Sequence, residues 1–161
     1  MPSPKTADLV DSHDAQVRFC QLAFERHGTR LPFHGVISTV KTFEDNTLLK
    51  KRLEEPGNGR VLVVDGGGSA RVAVVGDVIA ALAQKNGWAG LIINGAVRDV
   101  AVLAEMDFAV FAIARSPKKS SKLGTGALDV PVSFGGVEFV PGQFVYADDD
   151  GVLVSAANLA T

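Results

Sequence analysis

Asp77 and the pair Arg98-Asp99, with twenty residues between them, are the side chains in this sequence best suited to chemistry on a small anion. Arg98 is a permanently cationic fork that grips a carboxylate or opposes charge developing on an oxygen. Asp99 is a hard oxygen ligand, and one carboxylate with several waters is an ordinary way to hold magnesium or manganese when substrate completes the shell. Asp77 is suited to ordering one of those waters. If a helix starts at Gly76-Asp77, the amides of Gly76, Asp77, Val78 and Ile79 form an N-terminus that favours a carboxylate. Together these features describe a site for a small 2-oxo acid, with the cation polarising the keto oxygen while the backbone and Arg98 hold the acid group. On spacing alone, the same residues also fit a helix-capping aspartate and a surface Arg-Asp ion pair.

Such a site needs a βαβ unit to close it, and the sequence supplies one. Val72 to Val75 is a short apolar run, Asp77 to Gln84 a helix stopped near Asn86-Gly87, and Leu91 to Ile93 a buried strand. The helix runs one way and the strand runs back, so the start of the first and the end of the second meet at one edge. Val61 to Val64 is continuously apolar, as expected of a strand covered on both faces. Upstream, helical spacing of apolar residues predicts a helix from Asp8 to Phe24, and Val36 to Val40 reads as a strand that Lys41 to Phe43 extend. Asp45 is placed to N-cap a helix running to about Glu54, before Pro56-Gly57.

Downstream, Val100 to Glu105 reads as a short helix, Phe108 to Ile113 as a strand, and Pro117 to Gly126, with Lys118, Lys119 and Lys122, as an exposed loop. Short strands at 130–134, 137–140, 144–146 and 152–154, separated by Gly135-Gly136, Pro141-Gly142 and Asp150-Gly151, make the last third β-rich. The expectation is an α/β single domain over residues 1–161, with no internal repeat or linker.

Composition narrows the function classes. The 161 residues are 47% hydrophobic and 21% charged, with 16 Lys+Arg against 18 Asp+Glu, which suits a packed core and gives no electrostatic footprint for a polyanion such as nucleic acid. The apolar runs are too short to cross a bilayer as helices, and the N-terminal residues lack a secretory pattern. Cys20 is the sole cysteine, as suits a reducing cytoplasm. His13, His27 and His34 have no metal-pair spacing, Trp88 reads as a core anchor, and Asp148-Asp149-Asp150-Gly151 reads as an acidic turn. Asp65-Gly66-Gly67-Gly68-Ser69 lacks the G-x-G-x-x-G pattern and reads as a tight turn rather than a nucleotide or methyl-donor loop.

Several ordered blocks carry a family resemblance. Phe43-Glu44-Asp45-Asn46, Val61 to Ser69, Gly87 to Asp99, Phe134-Gly135-Gly136-Val137, Pro141-Gly142 and Tyr146-Ala147-Asp148 resemble the RraA-like proteins. That family includes the regulator of ribonuclease activity A and the metal-dependent 4-hydroxy-4-methyl-2-oxoglutarate aldolases. The likeness runs from about Thr6 to Val154. It implies a swivelling β/β/α-type fold and a ring-shaped homotrimer, with stacking into hexamers a further step. It implies pyruvate binding at Gly76 to Ile79, substrate contact by Arg98, a magnesium or manganese ion on Asp99, and Asp77 as the first residue of the catalytic signature.

The chemistry implied is that of a class II aldolase, cleaving 4-hydroxy-4-methyl-2-oxoglutarate to two pyruvates, and of an oxaloacetate decarboxylase. Both reactions pass through a pyruvate enolate. Longer aldolases of the family have additional C-terminal sequence that supplies an acidic residue to the neighbouring subunit, so the resemblance implies here a balance shifted towards decarboxylation. Regulator-type members imply an alternative, a non-catalytic protein that binds and inhibits a ribonuclease assembly. A menaquinone-pathway methyltransferase is a third reading, against which the missing methyl-donor fingerprint counts.

Overall fold

The computed structural model describes residues 2–160 of the chain. Three layers order themselves around one mixed sheet. The central strands are β3 (Phe33–Lys41), β4 (Val61–Asp65), β6 (Gly90–Val97) and β7 (Val110–Arg115), hydrogen-bonded in that order and all parallel. Every residue of β4 is buried, because its two faces serve two cores. Leu62 and Val64 pack with Leu49, Leu53, Ile79, Ala80, Ala83 and Trp88 beneath α2 (Thr47–Leu53) and α3 (Asp77–Lys85). Val61 and Val63 point the other way, into a cluster with Phe33, Phe111, Phe134 and Phe139. That second face is closed by the hairpin of β9 (Val132–Phe134) and β10 (Val137–Phe139). The result is the β/β/α layering expected, an α/β fold with few helices and a β-rich last third.

The sheet continues antiparallel beyond β3 through β11 (Phe144–Asp148), β12 (Gly151–Ser155) and β1 (Val17–Phe19), and beyond β7 through β2 (Glu25–His27). The two-residue β8 (Ala127–Leu128), which carries no periodic signal, pairs with the end of β3. The single opening helix expected over Asp8 to Phe24 does not form. Helix α1 (Thr6–His13) is followed by a 3-10 turn (Asp14–Gln16) and then by β1 and β2. Val17 and Phe19 are drawn into a ladder with Ser155 and Leu153 near the other end of the chain, a long-range pairing that outweighs local periodicity. Helix α4 (Val100–Leu103) is shorter than expected, and β7 runs to Arg115 rather than starting at Phe108.

Strand β5 (Ala73–Val75) and α3 position the site. β5 is parallel to β6 and pairs with its last two residues, Ala96 and Val97, after β4 has paired with residues 90–94 of the same edge. Helix α3 packs Ile79, Ala80 and Ala83 onto the sheet, where the two alanines permit close approach. It ends in a Schellman motif: Gly87, at φ 83°, donates to the Gln84 carbonyl at 3.2 Å and Trp88 N–H to the Ala83 carbonyl at 3.1 Å. The Trp88 indole, 1% exposed, donates to the Glu55 carbonyl and anchors this end in the core, as its place beside Gly87 suggests.

Asp45 ties a distant loop to the start of α2. Its Oδ1 accepts the Thr47 N–H at 2.9 Å, while Oδ2 accepts Leu123 N–H, Gly124 N–H and the Ser121 hydroxyl at 2.6, 3.1 and 3.0 Å. The cap residue of α2 is Asn46, so Asp45 caps from one position further out than expected. Burial alone would raise the Asp45 pKa, but the hydrogen bonds from Thr47, Leu123 and Ser121 prevail and pull it down to about 2. A carboxyl held below its unfolded value stabilises the fold above that value and loses the contribution as pH falls through the folded one. Asp45→Ala strands these donors and is expected to cost about 3 kcal/mol at pH 7. Urea titrations at pH 7 and pH 2.5 check this, with the difference between wild type and variant shrinking at the lower pH.

Candidate functional site

At the carboxyl ends of β5 and β6 the chain forms a hollow of about 190 Å³ whose lining includes Gly76, Asp77, Val78, Ile79, Arg98 and Asp99. All six residues singled out in the sequence therefore share one cavity. The contact that joins the two halves is the Asp77 N–H donating to Asp99 Oδ2 at 3.1 Å. Arg98 is fixed beside it because its own N–H donates to the Val75 carbonyl at 3.0 Å, extending the β5–β6 register by one residue.

Gly76 is the N-cap of α3, and its lack of a side chain is what allows this closure. A Cβ there would lie 2.6 Å from Asp99 Oδ2, too close for a real contact, and a tight 3.3 Å from Arg98 Cγ, so the Asp99 carboxylate would have to move. Asp99 itself is in the left-handed region, at φ 59° and ψ 38°, a conformation that aspartate and asparagine adopt more readily than other side-chain-bearing residues. Its carbonyl accepts Val102 and Leu103 N–H, so the short α4 holds Asp99 in place.

The structure refines the anion cradle. Asp77 N–H is spent on Asp99, leaving the amides of Val78 and Ile79 in the first turn of α3, where no intrahelical acceptor exists. The Arg98 guanidinium is exposed, and among the described residues its protein hydrogen bond is from Nη1 to the Pro117 carbonyl at 3.3 Å. Asp99 Oδ1 and both Asp77 carboxylate oxygens accept no hydrogen bond among the described residues. These donors fit a hard divalent cation. No group of three or more His, Cys, Asp or Glu is placed to hold a metal ion among the described residues, so a cation here would draw most of its ligands from water and substrate.

The other candidates fall elsewhere. The Asp65 to Ser69 loop is a tight turn with its own bonds: Gly67 N–H donates to Asp65 Oδ1, and Gly66 and Gly68 N–H donate to the Asn94 carbonyl. His13 bonds Gln16, His34 bonds Ser3, and His27 is buried near Glu25. Asp148 receives Thr6 N–H and the Thr6 hydroxyl at the start of α1, and Asp149 pairs with Arg26. Cys20 is buried, and burial pushes its thiol up. No helix is long and apolar enough to cross a membrane among the described residues.

Sequence reasoning missed five further polar residues that line the hollow, Asn46, Lys50, Lys119, Ser120 and Lys122, beside the apolar β5 residues Ala73, Val74 and Val75. The lysines in the 117–126 loop are visible as a loop in the sequence, but nothing local shows where that loop docks.

A family model described as RraA-like, Aldolase/RraA, matches residues 6–154. The chain belongs to the RraA-like family. A relative from Aromatoleum aromaticum, named "Putative 4-hydroxy-4-methyl-2-oxoglutarate aldolase", is 50% identical over 155 residues, which is 96% of this chain and 98% of that protein. Among solved structures, one from Geobacillus kaustophilus described as an S-adenosylmethionine:2-dimethylmenaquinone methyltransferase superimposes with a TM-score of 0.95 at 48% identity, covering 97% of both chains. The RNA-processing inhibitor RraA from Thermus thermophilis superimposes with a TM-score of 0.92 at 44% identity, covering 96% of this chain and 94% of that one. The fold of the family, a large mixed sheet with few helices, is thus the fold of this chain.

Proposed function

We propose that this RraA-like protein is a divalent-metal-dependent carbon-carbon lyase acting on small 2-oxo acids. Its reactions are cleavage of 4-hydroxy-4-methyl-2-oxoglutarate to pyruvate and decarboxylation of oxaloacetate. The observation that carries the reading is the convergence of Arg98, Asp99 and the start of α3 on one hollow, whose volume of about 190 Å³ suits a small acid rather than a drug-sized ligand. The 50% identical relative with an aldolase name supports the same class of activity.

Val78 and Ile79 N–H, at the positive end of α3, bind the carboxylate next to the keto group. Arg98 places a cationic fork beside it and opposes the negative charge that grows on the keto oxygen as the carbon-carbon bond breaks. Asp99 would hold magnesium or manganese, with Asp77 ordering one of its waters, and the bound cation would supply Lewis-acid polarisation of that oxygen. In retro-aldol cleavage the 4-hydroxyl loses its proton, the bond between C3 and C4 breaks, and its electron pair passes into the enolate. C3 then takes up a proton. Asp77, whose carboxylate lines the hollow without a protein partner among the described residues, holds and moves that proton through a water it orders. In decarboxylation the same electron pair comes from the bond to the departing carbon dioxide. Removal of the metal should therefore stop both reactions. The purified protein is expected to release pyruvate from both acids with added magnesium and to fall to background with a chelator; absence of release from either acid would refute the reading.

Assembly as a homotrimer in the cytoplasm belongs to the same reading. Phe43, Val78, Val102 and Leu123 are exposed large apolar side chains, surface that association would cover. The similarity to the Thermus RNA-processing inhibitor favours a second reading, binding to a ribonuclease assembly, for which a pull-down unaffected by Arg98→Ala would be the supporting result.

A further inference from the structure

The sheet ends at β1, which pairs on one side only, with β12. Cys20 N–H, just past the strand, donates to the Val152 carbonyl at 2.9 Å. By antiparallel alternation the backbone groups of Arg18 also turn towards β12, and those of Val17 and Phe19 face outward, where no strand lies beside them. The Phe19 side chain is 62% exposed and forms one wall of a groove of about 330 Å³ between α1 and β12. Ala7 and Val10, one turn apart on α1, and Leu153 of β12 line it as well. Val10, Val17 and Leu153 belong to one small apolar cluster under α1, so the groove opens onto packed, fixed side chains.

Two charged residues line this groove, Asp11 and Asp150, and both are acidic. Both are exposed, and neither forms an ion pair among the described residues. Their neighbours Asp148 and Asp149 are already engaged, the first with the Thr6 N–H and hydroxyl and the second with Arg26. Apolar walls, a negative rim and an open strand edge therefore coincide. A three-residue edge offers too few backbone bonds to recruit another chain unaided, so side-chain fit decides what is accepted. The β1 of a second copy fits poorly. Its Val17 and Phe19 would meet the apolar walls, but its Arg18 alternates to the other face, and its own Asp11 and Asp150 would approach the first pair.

We propose that β1 and this groove dock an extended segment of a partner protein, added as a further strand, in which a large apolar residue has Lys or Arg two positions before and two positions after it. The spacing follows from strand geometry, because residues two apart share a face. With the apolar residue opposite Phe19, its side chain packs on Phe19 and Val10 while the two cations face Asp11 and Asp150. The residues between point to the other side of the sheet, that of Arg18. The surface is separate from the hollow at β5 and β6 and needs neither a metal nor a keto acid.

The test is a titration of the full chain, labelled with nitrogen-15 and followed by its amide shifts. The probes are the acetylated and amidated peptide Lys-Thr-Leu-Thr-Lys and its counterpart Glu-Thr-Leu-Thr-Glu. The basic peptide is expected to bind about tenfold more tightly, since two exposed charge contacts change from repulsive to attractive, and to move the amides of Val10, Phe19 and Leu153. That difference should vanish in Asp11→Asn/Asp150→Asn, and Phe19→Ala should weaken the basic peptide about tenfold. All three side chains are exposed, so the fold is not at stake. Methylating the leucine nitrogen in one peptide, and the two threonine nitrogens in another, removes donors from alternate edges of the bound segment. An added strand requires that one of these changes abolish binding and the other leave it intact. Equal affinity for the two peptides, indifference to both methylations, or shifts confined to other parts of the chain would overturn the proposal. So would self-association through the same edge, read as a smaller sedimenting species in Phe19→Ala without peptide.

Discussion

Replacing Asp99 by asparagine is expected to lower metal-dependent pyruvate release by about 10³-fold, several kcal/mol of transition-state stabilisation, while thermal unfolding stays close to that of the wild type. The substitution is chosen for its geometry. Asp99 sits in the left-handed region at φ 59°, which asparagine also adopts readily. An asparagine amide oxygen can still accept the Asp77 N–H now bonded to Oδ2, and the backbone carbonyl still receives Val102 and Leu103 N–H. What disappears is the charge and the second hard oxygen. Magnesium titration by calorimetry should show the same loss as turnover, since one cause produces both. A variant that keeps the wild-type rate would reassign Asp99 to holding α3 against β6 and nothing more.

Arg98→Lys should cost about 10²-fold in kcat/KM for either acid, because an ammonium on a flexible stem cannot replace a planar fork at a carboxylate and a developing enolate oxygen. The fold has little to lose. The guanidinium is exposed, and its hydrogen bond to the Pro117 carbonyl is long at 3.3 Å. The backbone bond from Arg98 N–H to the Val75 carbonyl does not depend on the side chain. Comparing kcat with KM separates two contributions: loss in KM alone means that Arg98 only binds the acid group, and loss in kcat means that it also acts on the charge formed during bond breaking. Steady-state rates on oxaloacetate supply both, and an unchanged kcat/KM would leave Arg98 with no part beyond its contact with Pro117.

Local sequence determined much of this site. The β5–α3–β6 unit is short, its strands are apolar, and Gly76-Asp77 and Asn86-Gly87 punctuate the helix, so its chain path and the meeting of Asp77 with Asp99 follow from patterns within about thirty residues. The doubly buried β4 is legible for the same reason. What stayed hidden depends on distant partners. Val17 and Phe19 become a strand because Ser155 and Leu153 are waiting, which no periodicity near residue 17 reveals. The lysines of the 117–126 loop reach the hollow because Asp45 and Ala73 hold that loop from 46 or more residues upstream; in the sequence Asp45 shows only its local role at the start of α2. The family resemblance named the catalytic signature but carried no word on those lysines.

Crystals soaked with pyruvate and magnesium report at once on the cation, Arg98 and the start of α3. Expected are a cation on an Asp99 carboxylate oxygen, the pyruvate carboxylate at the amides of Val78 and Ile79, and the Arg98 guanidinium turned onto the ligand. Pyruvate found in another cavity, or a cation bound away from Asp99 with the start of α3 left empty at saturating ligand, would contradict the proposed function.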